Sequence, residues 1–562
     1  MKNVLRSICI TLALATVLIQ SACAPQNENK DDVSKENVTT TSPEKDDYVP
    51  EPFDYIPSVA KAAKEARMIY VLNEPDSFSD KLSIAALQGL AANLSDEQIL
   101  LSNGAYDNYR SYITGKWNCQ IKGVVDRKPA NLQNLMNHYK DLLDGYILAS
   151  SDPESESGSV AVSLAGLLNA AIVTPENESL CKNLGMKRLL DVSSKNDAWL
   201  RSSEYWNKLN KDIAIEQPLK MAPKLVDYAV MSHAYFSFYN GHNSNEHKEK
   251  YSFLNSNGIV FGYNNTLGEY DTVASFSSAN LQMIPSDHAC NLSTLSGFRR
   301  NTLEQKTAEV SGETSKKVHT VCIIMSDGDN VQWMMNNFTT SEKWFANKNR
   351  GSFCMGWGLP ATAIDLTAPM TEYLYDKMTE KDEFIMQLGG LGYTFPSRWS
   401  NAARAEMAKK LAEYMRRTDL HYAEILDDNG MSARALSEFT KQDGIDGLFY
   451  IDYSNYAGKN GDIIWSSDKP IVAARYRLWA NTSDGSIDAI SRAVNRASTD
   501  PAKIDSYSFI IVHAWSGMSG IHLAEGGNTM DAVTKLIEAF DDDVDVVTPS
   551  EFMSRIIANH AQ

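Results

Sequence analysis

Two acidic side chains at the ends of apolar runs are the first candidates for chemistry. Asp427 follows the apolar run in "HYAEILDD", and Asp452 closes "GLFYID". If both runs are neighbouring strands, about 4.8 Å apart, their carboxyl groups fall within the separations that retaining or inverting glycoside hydrolases use. One carboxyl would protonate the leaving oxygen while the other attacks the sugar or activates water. A helix N-cap or an Asx-turn just past the strand stays open as an alternative for each.

A second acidic pair lies in "MSDGDN", where Asp327 and Asp329 stand two residues apart in a loop that contains glycine. Two carboxylates at this spacing can act as catalytic acids or point at one cation, but a calcium loop needs more oxygen ligands than these two supply. A simple turn fits the same residues. We therefore predict no cofactor, and a divalent cation near Asp327 and Asp329 stays open.

Aromatic side chains near the presumed strand ends favour a carbohydrate site, because sugar rings present flat C–H faces that stack on aromatic rings. Some of these rings must belong to the core, since large aromatics are mostly buried. His513 closes "FIIVH", where a buried, hydrogen-bonded histidine is an equal alternative. The predicted substrate-binding side chains are Trp357, Tyr393, Phe395, Trp399, Tyr453, Arg475, His513 and Trp515.

The C-terminal part of the chain contains the elements that would position these residues. Eight apolar runs end in polar or glycine residues, and most are separated by segments with helical spacing. The runs are "VHTVCIIMSDGDN", "GSFCMGWGLP", "EFIMQLGGLGY", "HYAEILDDNG", "GLFYIDYSNY", "KPIVAARYRLW", "YSFIIVHAWSG" and "VDVVTPSEF". Such repeats predict a (β/α)8 barrel or a close seven-stranded relative, in which functional groups lie at the C-terminal ends of the strands.

Shorter alternating units precede this barrel. Runs such as "RMIYVL", "DGYILAS" and "NSNGIVFGYN" read as strands, and the segments between them read as helices. This alternation predicts an α/β protein with parallel sheets. We place three N-terminal α/β subdomains at residues 53–145, 146–214 and 215–305, and a C-terminal catalytic domain at 306–562.

The stretch "QLGGLGYTFPS" follows one of the barrel strands and is unusually stiff. Gly389, Gly390 and Gly392 permit positive φ and close backbone approach, whereas Pro396 fixes its own φ. Tyr393 and Phe395 are thereby held on a rigid loop, which favours the wall of a binding site over a mere turn.

The segment from Gly390 to Pro396 resembles the motif that names the GxGYxYP family, bacterial proteins classed with the glycoside hydrolases, with Phe395 in place of the second tyrosine. "SDGDN", "IPSDHACNLS" and "VTPSEF" also look like this family, and the resemblance extends from about residue 65 onward. It implies N-terminal α/β subdomains before a barrel-like domain. Carried over are only the motif positions Gly390, Gly392, Tyr393 and Pro396, with Asp327 and Asp329 as neighbours.

Composition and the N-terminus bear on partners and location. The 562 residues carry a net charge of −18, which opposes binding to nucleic acid or to anionic lipid surfaces. Residues 1–23 read as an export signal that ends at Cys23, a lipid-attachment residue in this interpretation, and residues 24–52 read as a disordered tether. The expected location is outside the cytoplasm, on a lipid anchor, with ordinary secretion as the alternative.

The leading hypothesis is a monomeric glycoside hydrolase that acts on an extracytoplasmic oligo- or polysaccharide. A polysaccharide deacetylase-like enzyme is one alternative, although no His-x-x-x-His pair exists and His242 and His247 are five residues apart. A glycan-binding lipoprotein without catalysis is the other, because it needs the aromatic residues but not the acids.

Overall fold

The computed structural model describes residues 64–102, 106–479, 482, 484–515 and 527–561. The export signal, Cys23 and the tether lie outside these residues. The described chain is a mixed α/β protein, as predicted. Within it, no helix combines the length and the apolar character needed to cross a bilayer.

The N-terminal half contains three small parallel sheets and one short hairpin. The first sheet has the order β2-β1-β3, the second β7-β6-β8 and the third β10-β9-β11-β12, and β4 pairs with β5. The strands are β1 Met68–Asn73, β2 Glu97–Ser102, β3 Gln120–Lys122, β4 Val124–Val125, β5 Lys128–Pro129, β6 Gly145–Leu148, β7 Ala170–Val173, β8 Arg188–Asp191, β9 Ile213–Glu216, β10 Tyr235–Ser237, β11 Ile259–Gly262 and β12 Gln282–Ile284.

Helices cover these sheets and continue between the strands of the C-terminal half. Polar caps start many of them: Ser155, for example, accepts a hydrogen bond from Ser157 N at the start of α4. The helices are α1 Phe78–Leu94, α2 Tyr106–Lys116, α3 Leu132–Tyr139, α4 Glu156–Ala165, α5 Glu178–Asn183, α6 Asp197–Ser202, α7 Val226–Met231, α8 Ser244–Tyr251, α9 Glu269–Ser277, α10 Leu292–Leu295, α11 Val331–Trp333, α12 Ala363–Leu366, α13 Ala368–Lys377, α14 Asn401–Arg417, α15 Ala433–Thr440, α16 Ile487–Val494, α17 Thr529–Glu538 and α18 Pro549–His560.

The C-terminal half is built on one large, mostly parallel sheet of order β18-β19-β17-β16-β15-β14-β13-β21-β20, with β22 paired to β13. Only β18 runs antiparallel, against β19. The strands are β13 His319–Met325, β14 Met355–Leu359, β15 Asp382–Met386, β16 Tyr422–Asp427, β17 Gly447–Asp452, β18 Ile463–Ser466, β19 Lys469–Ala473, β20 Tyr476–Leu478, β21 Tyr507–Val512 and β22 Val544–Val547.

The large sheet curls until its two ends meet. The first half of the segment 469–478 pairs with β17, and its second half pairs with β21. Between the two halves, Ala474 N donates to Tyr450 O and Arg475 N donates to Phe509 O. All eight predicted strands are present, but β22 pairs beside the first residues of β13 instead of completing the ring. The barrel-like fold is thus confirmed in its seven-stranded form.

The "VTPSEF" segment closes the opposite end of this barrel from the predicted site. Thr548 caps α18, whose Ser550 donates from its N and its Oγ to the buried Glu383 of β15 at 2.8 and 2.6 Å. Since Glu383 lies near the amino end of its strand, α18 packs under the barrel and leaves the carboxyl ends of the strands free for a site.

Candidate functional site

A cavity of about 370 Å³ lies between the carboxyl ends of the barrel strands and the carboxyl ends of the third N-terminal sheet. Five of its lining side chains are carboxylic acids: Glu269, Asp287, Asp327, Asp329 and Glu424. Within the described part of the chain, no lysine or arginine lines it. The cavity is therefore acidic and is shared by two parts of the protein.

The "SDGDN" loop is fixed in place by close backbone contacts. A Cβ on Gly328 would lie 2.1 Å from the carbonyl carbon of Gly358, so only glycine fits. Gly328 N donates to Gln387 Oε1 at 2.6 Å, and Asn330 caps α11 by accepting from Trp333 N at 3.1 Å. Asp327, at a φ of +64°, and Asp329 are thereby held in the cavity wall.

Burial separates the two aspartates chemically. Asp329 is 5% exposed. Its burial, together with the nearby charges of Asp327 and Glu269, raises the pKa of Asp329 to about 8. Asp327 is more exposed and accepts a hydrogen bond from Ser326 Oγ. The loop therefore presents a buried carboxyl group with a raised pKa and a second, more exposed aspartate to the same cavity.

Glu424 is a third carboxyl group of this cavity that the sequence reasoning missed. It is fully buried in β16, where the side chain of Gln387 is its polar neighbour. Burial, with the charges of Asp327 and Asp329, raises the pKa of Glu424 well above its usual range. The available signal was one glutamate inside the otherwise apolar "YAEIL", because burying a carboxyl group is costly and carboxyl groups with strongly shifted pKa values cluster at functional sites.

The predicted pair Asp427 and Asp452 lies outside the cavity. Their Cα atoms are register partners on β16 and β17, as expected for consecutive strands. Asp427 accepts from Ser397 N at 2.9 Å and from Ser397 Oγ at 2.6 Å, and burial raises its pKa to about 6. Asp452 accepts from Ser454 N and Oγ, the geometry of an Asx-turn. Each carboxyl group therefore stabilises a loop, Asp427 the one at Ser397 and Asp452 the one at Ser454.

The alternation of side chains along the strands explains this placement. Glu424 and Leu426 of β16 and Ile451 of β17 line the cavity. Successive side chains of a strand point to opposite faces, so Asp427 and Asp452, each one residue further, point away.

The motif segment joins the barrel to the third N-terminal sheet. Tyr393 N donates to Met283 O at 2.6 Å, and Met283 N donates to Tyr393 O at 3.1 Å, which makes an antiparallel bridge to β12. The Tyr393 hydroxyl donates to Glu269 Oε1 at 2.8 Å inside the cavity wall. Phe395 N donates to Ser277 Oγ at 2.9 Å. This segment, which we call the motif seam (390–396), is both a domain contact and a cavity wall.

Close approach, not positive φ, explains two of the three glycines. Only Gly389 has a positive φ, of +73°. A Cβ on Gly390 would lie 2.7 Å from Gln282 Oε1, and a Cβ on Gly392 would lie 2.4 Å from Met283 O. The expected need for a positive φ thus holds for Gly389. At Gly390 and Gly392 glycine is needed because a neighbouring side chain or backbone atom occupies the space that a Cβ would fill.

We expect Gly392→Ala to destabilise the protein by about 1 to 3 kcal/mol, because the added methyl group overpacks a buried backbone contact. The thermal unfolding midpoint should fall, and the seam should become more sensitive to proteolysis. Gly115→Ala is the matched control: its Cβ meets nothing within 4 Å on the exposed face of α2, so the midpoint should stay or rise slightly. Equal midpoints for Gly392→Ala and wild type would contradict this role of the seam.

Of the other predicted binding residues, His513 and Trp515 line the cavity with Tyr393. Trp515 is 44% exposed and leans on Trp333 at a centroid distance of 4.7 Å. The imidazole of His513 stacks on Trp479 at 3.8 Å, and burial lowers its pKa against the opposing effect of Asp327.

The remaining predicted aromatic and basic residues lie elsewhere. Trp357 is buried and donates its indole N–H to Asp382 Oδ1 at 2.9 Å. Phe395 is buried within the seam, and Trp399 is buried just after it. Tyr453 is half-buried against Tyr270, and Arg475 donates to Tyr507 O at 3.0 Å, near the start of β21. These side chains support the site without lining it.

Among the described residues, no group of three or more His, Cys, Asp or Glu side chains is arranged to hold an ion. Two carboxyl groups of the acidic cavity, those of Asp329 and Glu424, have strongly raised pKa values.

The structure thus defines an α/β protein with an acidic cavity at the mouth of a barrel-like sheet. The chain belongs to the GxGYxYP family. Residues 317–556 match the model described as "GxGYxYP putative glycoside hydrolase C-terminal domain". Residues 211–297 match the family's third domain, and residues 143–209 match its second domain. The family resemblance predicted from the motif is confirmed.

A solved structure described as a "putative hydrolase" from Bacteroides thetaiotaomicron VPI-5482 is similar in fold. The two sequences are 26% identical. The superposition covers 89% of this chain and 96% of the solved chain, with a TM-score of 0.79. A 4-alpha-glucanotransferase from Thermococcus litoralis is 12% identical, and the superposition covers 42% of this chain and 40% of that enzyme. Its TM-score of 0.30 is too low to indicate a shared fold. No curated protein sequence matches the chain. Family and neighbour together support hydrolysis as the general class of reaction.

Proposed function

We propose that this protein is a glycoside hydrolase that cleaves an oligo- or polysaccharide outside the cytoplasm. The observation that carries the proposal is the pairing of the buried, protonated Asp329 with the more exposed Asp327 in one cavity. The family description and the hydrolase neighbour support the reaction class. The export-like residues 1–23 motivate the location.

In this mechanism Asp329 is the general acid. Its carboxyl proton passes to the glycosidic oxygen as the bond from that oxygen to the anomeric carbon breaks, and Asp329 becomes a carboxylate. Asp327 provides the carboxylate that either attacks the anomeric carbon or takes a proton from the attacking water. Desolvation makes the proton transfer effective at neutral pH, because it holds the pKa of Asp329 near the working pH.

The other lining groups suit a sugar. The exposed face of Trp515 can stack on a ring, and the hydroxyls of Tyr263 and Tyr456 lie in the same wall. Glu424, protonated by burial, can donate a hydrogen bond to a sugar hydroxyl. These contacts would orient the scissile bond between the two aspartates.

The acidic lining predicts which glycans are cleaved. We would incubate the purified protein with cellulose, xylan, mannan, starch and galactan, and with C6-oxidised counterparts of the hexose polymers, and separate the products by chromatography. At least one neutral polymer should be cleaved, and its oxidised counterpart at least about tenfold more slowly, because its carboxylates would enter a cavity lined by acids. Faster cleavage of the oxidised polymer would contradict this selectivity.

The same incubation tests the proposal against its alternatives. If acetate is released from acetylated xylan without chain cleavage, the protein is a deacetylase and the proposed glycosidase activity is wrong. Binding of a polymer without any product would make the protein a glycan receptor.

A further inference from the structure

A second cavity, of about 510 Å³, lies at the carboxyl edge of the third N-terminal sheet. Pro218, just after β9, and Phe238, directly after β10, form one side of it. Ser155 and Ser159, at the start of α4 in the second subdomain, form the other side. We call this space the second cleft. Ligands of open parallel sheets bind outside the carboxyl ends of the strands, which is where this cleft lies.

The second cleft adjoins the acidic cavity across a single residue. Asn265, exposed in the loop after β11, lines both spaces. The sheet order β10-β9-β11-β12 places the strand ends in a row, from Phe238 in the second cleft to Pro285 and Asp287 in the acidic cavity. Three strand spacings separate the ends of this row, about 14 Å in all. One extended ligand can therefore occupy both spaces.

Buried hydrogen bonds hold the loop after β11, which separates the second cleft from the acidic cavity, in place. The buried Asn264 donates from Nδ2 to Glu216 Oε1 at 2.7 Å, and its Oδ1 accepts from Thr266 N and Leu267 N at 3.0 and 2.8 Å. Glu216 is in turn hydrogen-bonded to the buried His247 at 2.8 Å. A satisfied buried network of this kind fixes a loop in one conformation, so Asn265 stays at the junction of the two spaces.

The lining of the second cleft suits a sugar chain. The partly exposed Phe238 and the apolar Leu219 line it together with the polar Ser159, Asn240 and Thr266. Its charged lining residues are Glu154, Glu156, Asp197 and Lys220. Apolar faces beside hydrogen-bonding groups match the alternating C–H faces and hydroxyls of a glycan.

We propose that the second cleft binds further units of the glycan whose scissile bond lies in the acidic cavity, so that the substrate is a chain longer than a disaccharide. This inference rests on the proposed glycosidase function. It also gives the second and third N-terminal subdomains a role, because their loops build the cleft.

The test compares oligosaccharides of two and of six units from the polymer cleaved in the screen above. Wild type should show a kcat/KM at least about tenfold higher for six units than for two. Phe238→Ala should lower this six-to-two ratio about tenfold, the equivalent of about 1.4 kcal/mol of lost contact. Phe238→Tyr should restore it, and Val310→Ala, which removes an exposed apolar side chain elsewhere, should leave it unchanged.

An unchanged ratio in Phe238→Ala, or a wild type that cleaves both lengths equally well, would overturn the second cleft as a glycan site while leaving the glycosidase function standing. Failure to cleave any polymer of the screen would instead overturn the proposed function, and this inference with it.

Discussion

Asp329→Asn is expected to lower kcat/KM on a natural glycan by about 10³-fold, within the range that loss of a general acid produces. The amide keeps the shape of the side chain but has no proton to transfer. Asp452→Asn is the matched control, since it makes the same chemical change at the end of β17, outside the cavity. It should stay within about threefold of wild type.

Two further readouts separate an acid from a residue that only shapes the site. An aryl glycoside with a good leaving group needs little protonation, so Asp329→Asn should lose far less activity on it. In wild type, kcat/KM should fall as the pH rises through about 8, because Asp329 loses its proton there. Equal losses on both substrates, or activity of Asp329→Asn within tenfold of wild type on the natural glycan, would remove Asp329 from this role.

The same substitution is expected to stabilise the folded protein at neutral pH. In the folded state burial raises the pKa of Asp329 to about 8, whereas an unfolded aspartate ionises at about pH 3.9. Between these values unfolding releases a proton, so the stability contributed by Asp329 is full below about pH 4 and is lost as the pH rises towards 8. By pH 7 this effect has lowered the free energy of unfolding of the wild type by at most about 4 kcal/mol. Asparagine at this position does not ionise, so the variant shows no such decrease.

Thermal unfolding at pH 4.5 and pH 7.5 measures this effect. The advantage of Asp329→Asn over wild type should be small at the lower pH and should grow at the higher one. Asp452→Asn should follow wild type at both, because its side chain lies in an Asx-turn outside the cavity. An advantage of Asp329→Asn that does not change with pH would show that Asp329 is not held protonated.

Much of the fold could be predicted from the sequence because local patterns determine it. Each of the eight predicted barrel runs is a strand, since short apolar segments between helical segments can bury both faces only in a covered parallel sheet. The sequence does not distinguish the eight-stranded from the seven-stranded form, because strand pairing depends on long-range contacts. β22 has the pattern of a barrel strand yet pairs beside β14 at one edge of β13. The subdomain boundaries remain predictions.

The sequence by itself determined the family, through the seam from Gly390 to Pro396, and it placed Asp327 and Asp329 at a strand end that faces the cavity. Only the tertiary structure decided that Glu424 belongs to the cavity and Asp427 does not, because a shift of one residue along a strand reverses the face. It also supplied the opposite wall, with Glu269 at the start of α9 and Asp287 after β12, both far from the barrel strands in sequence. The raised pKa of Asp329 arises from burial among these side chains, which the sequence of a single loop does not contain.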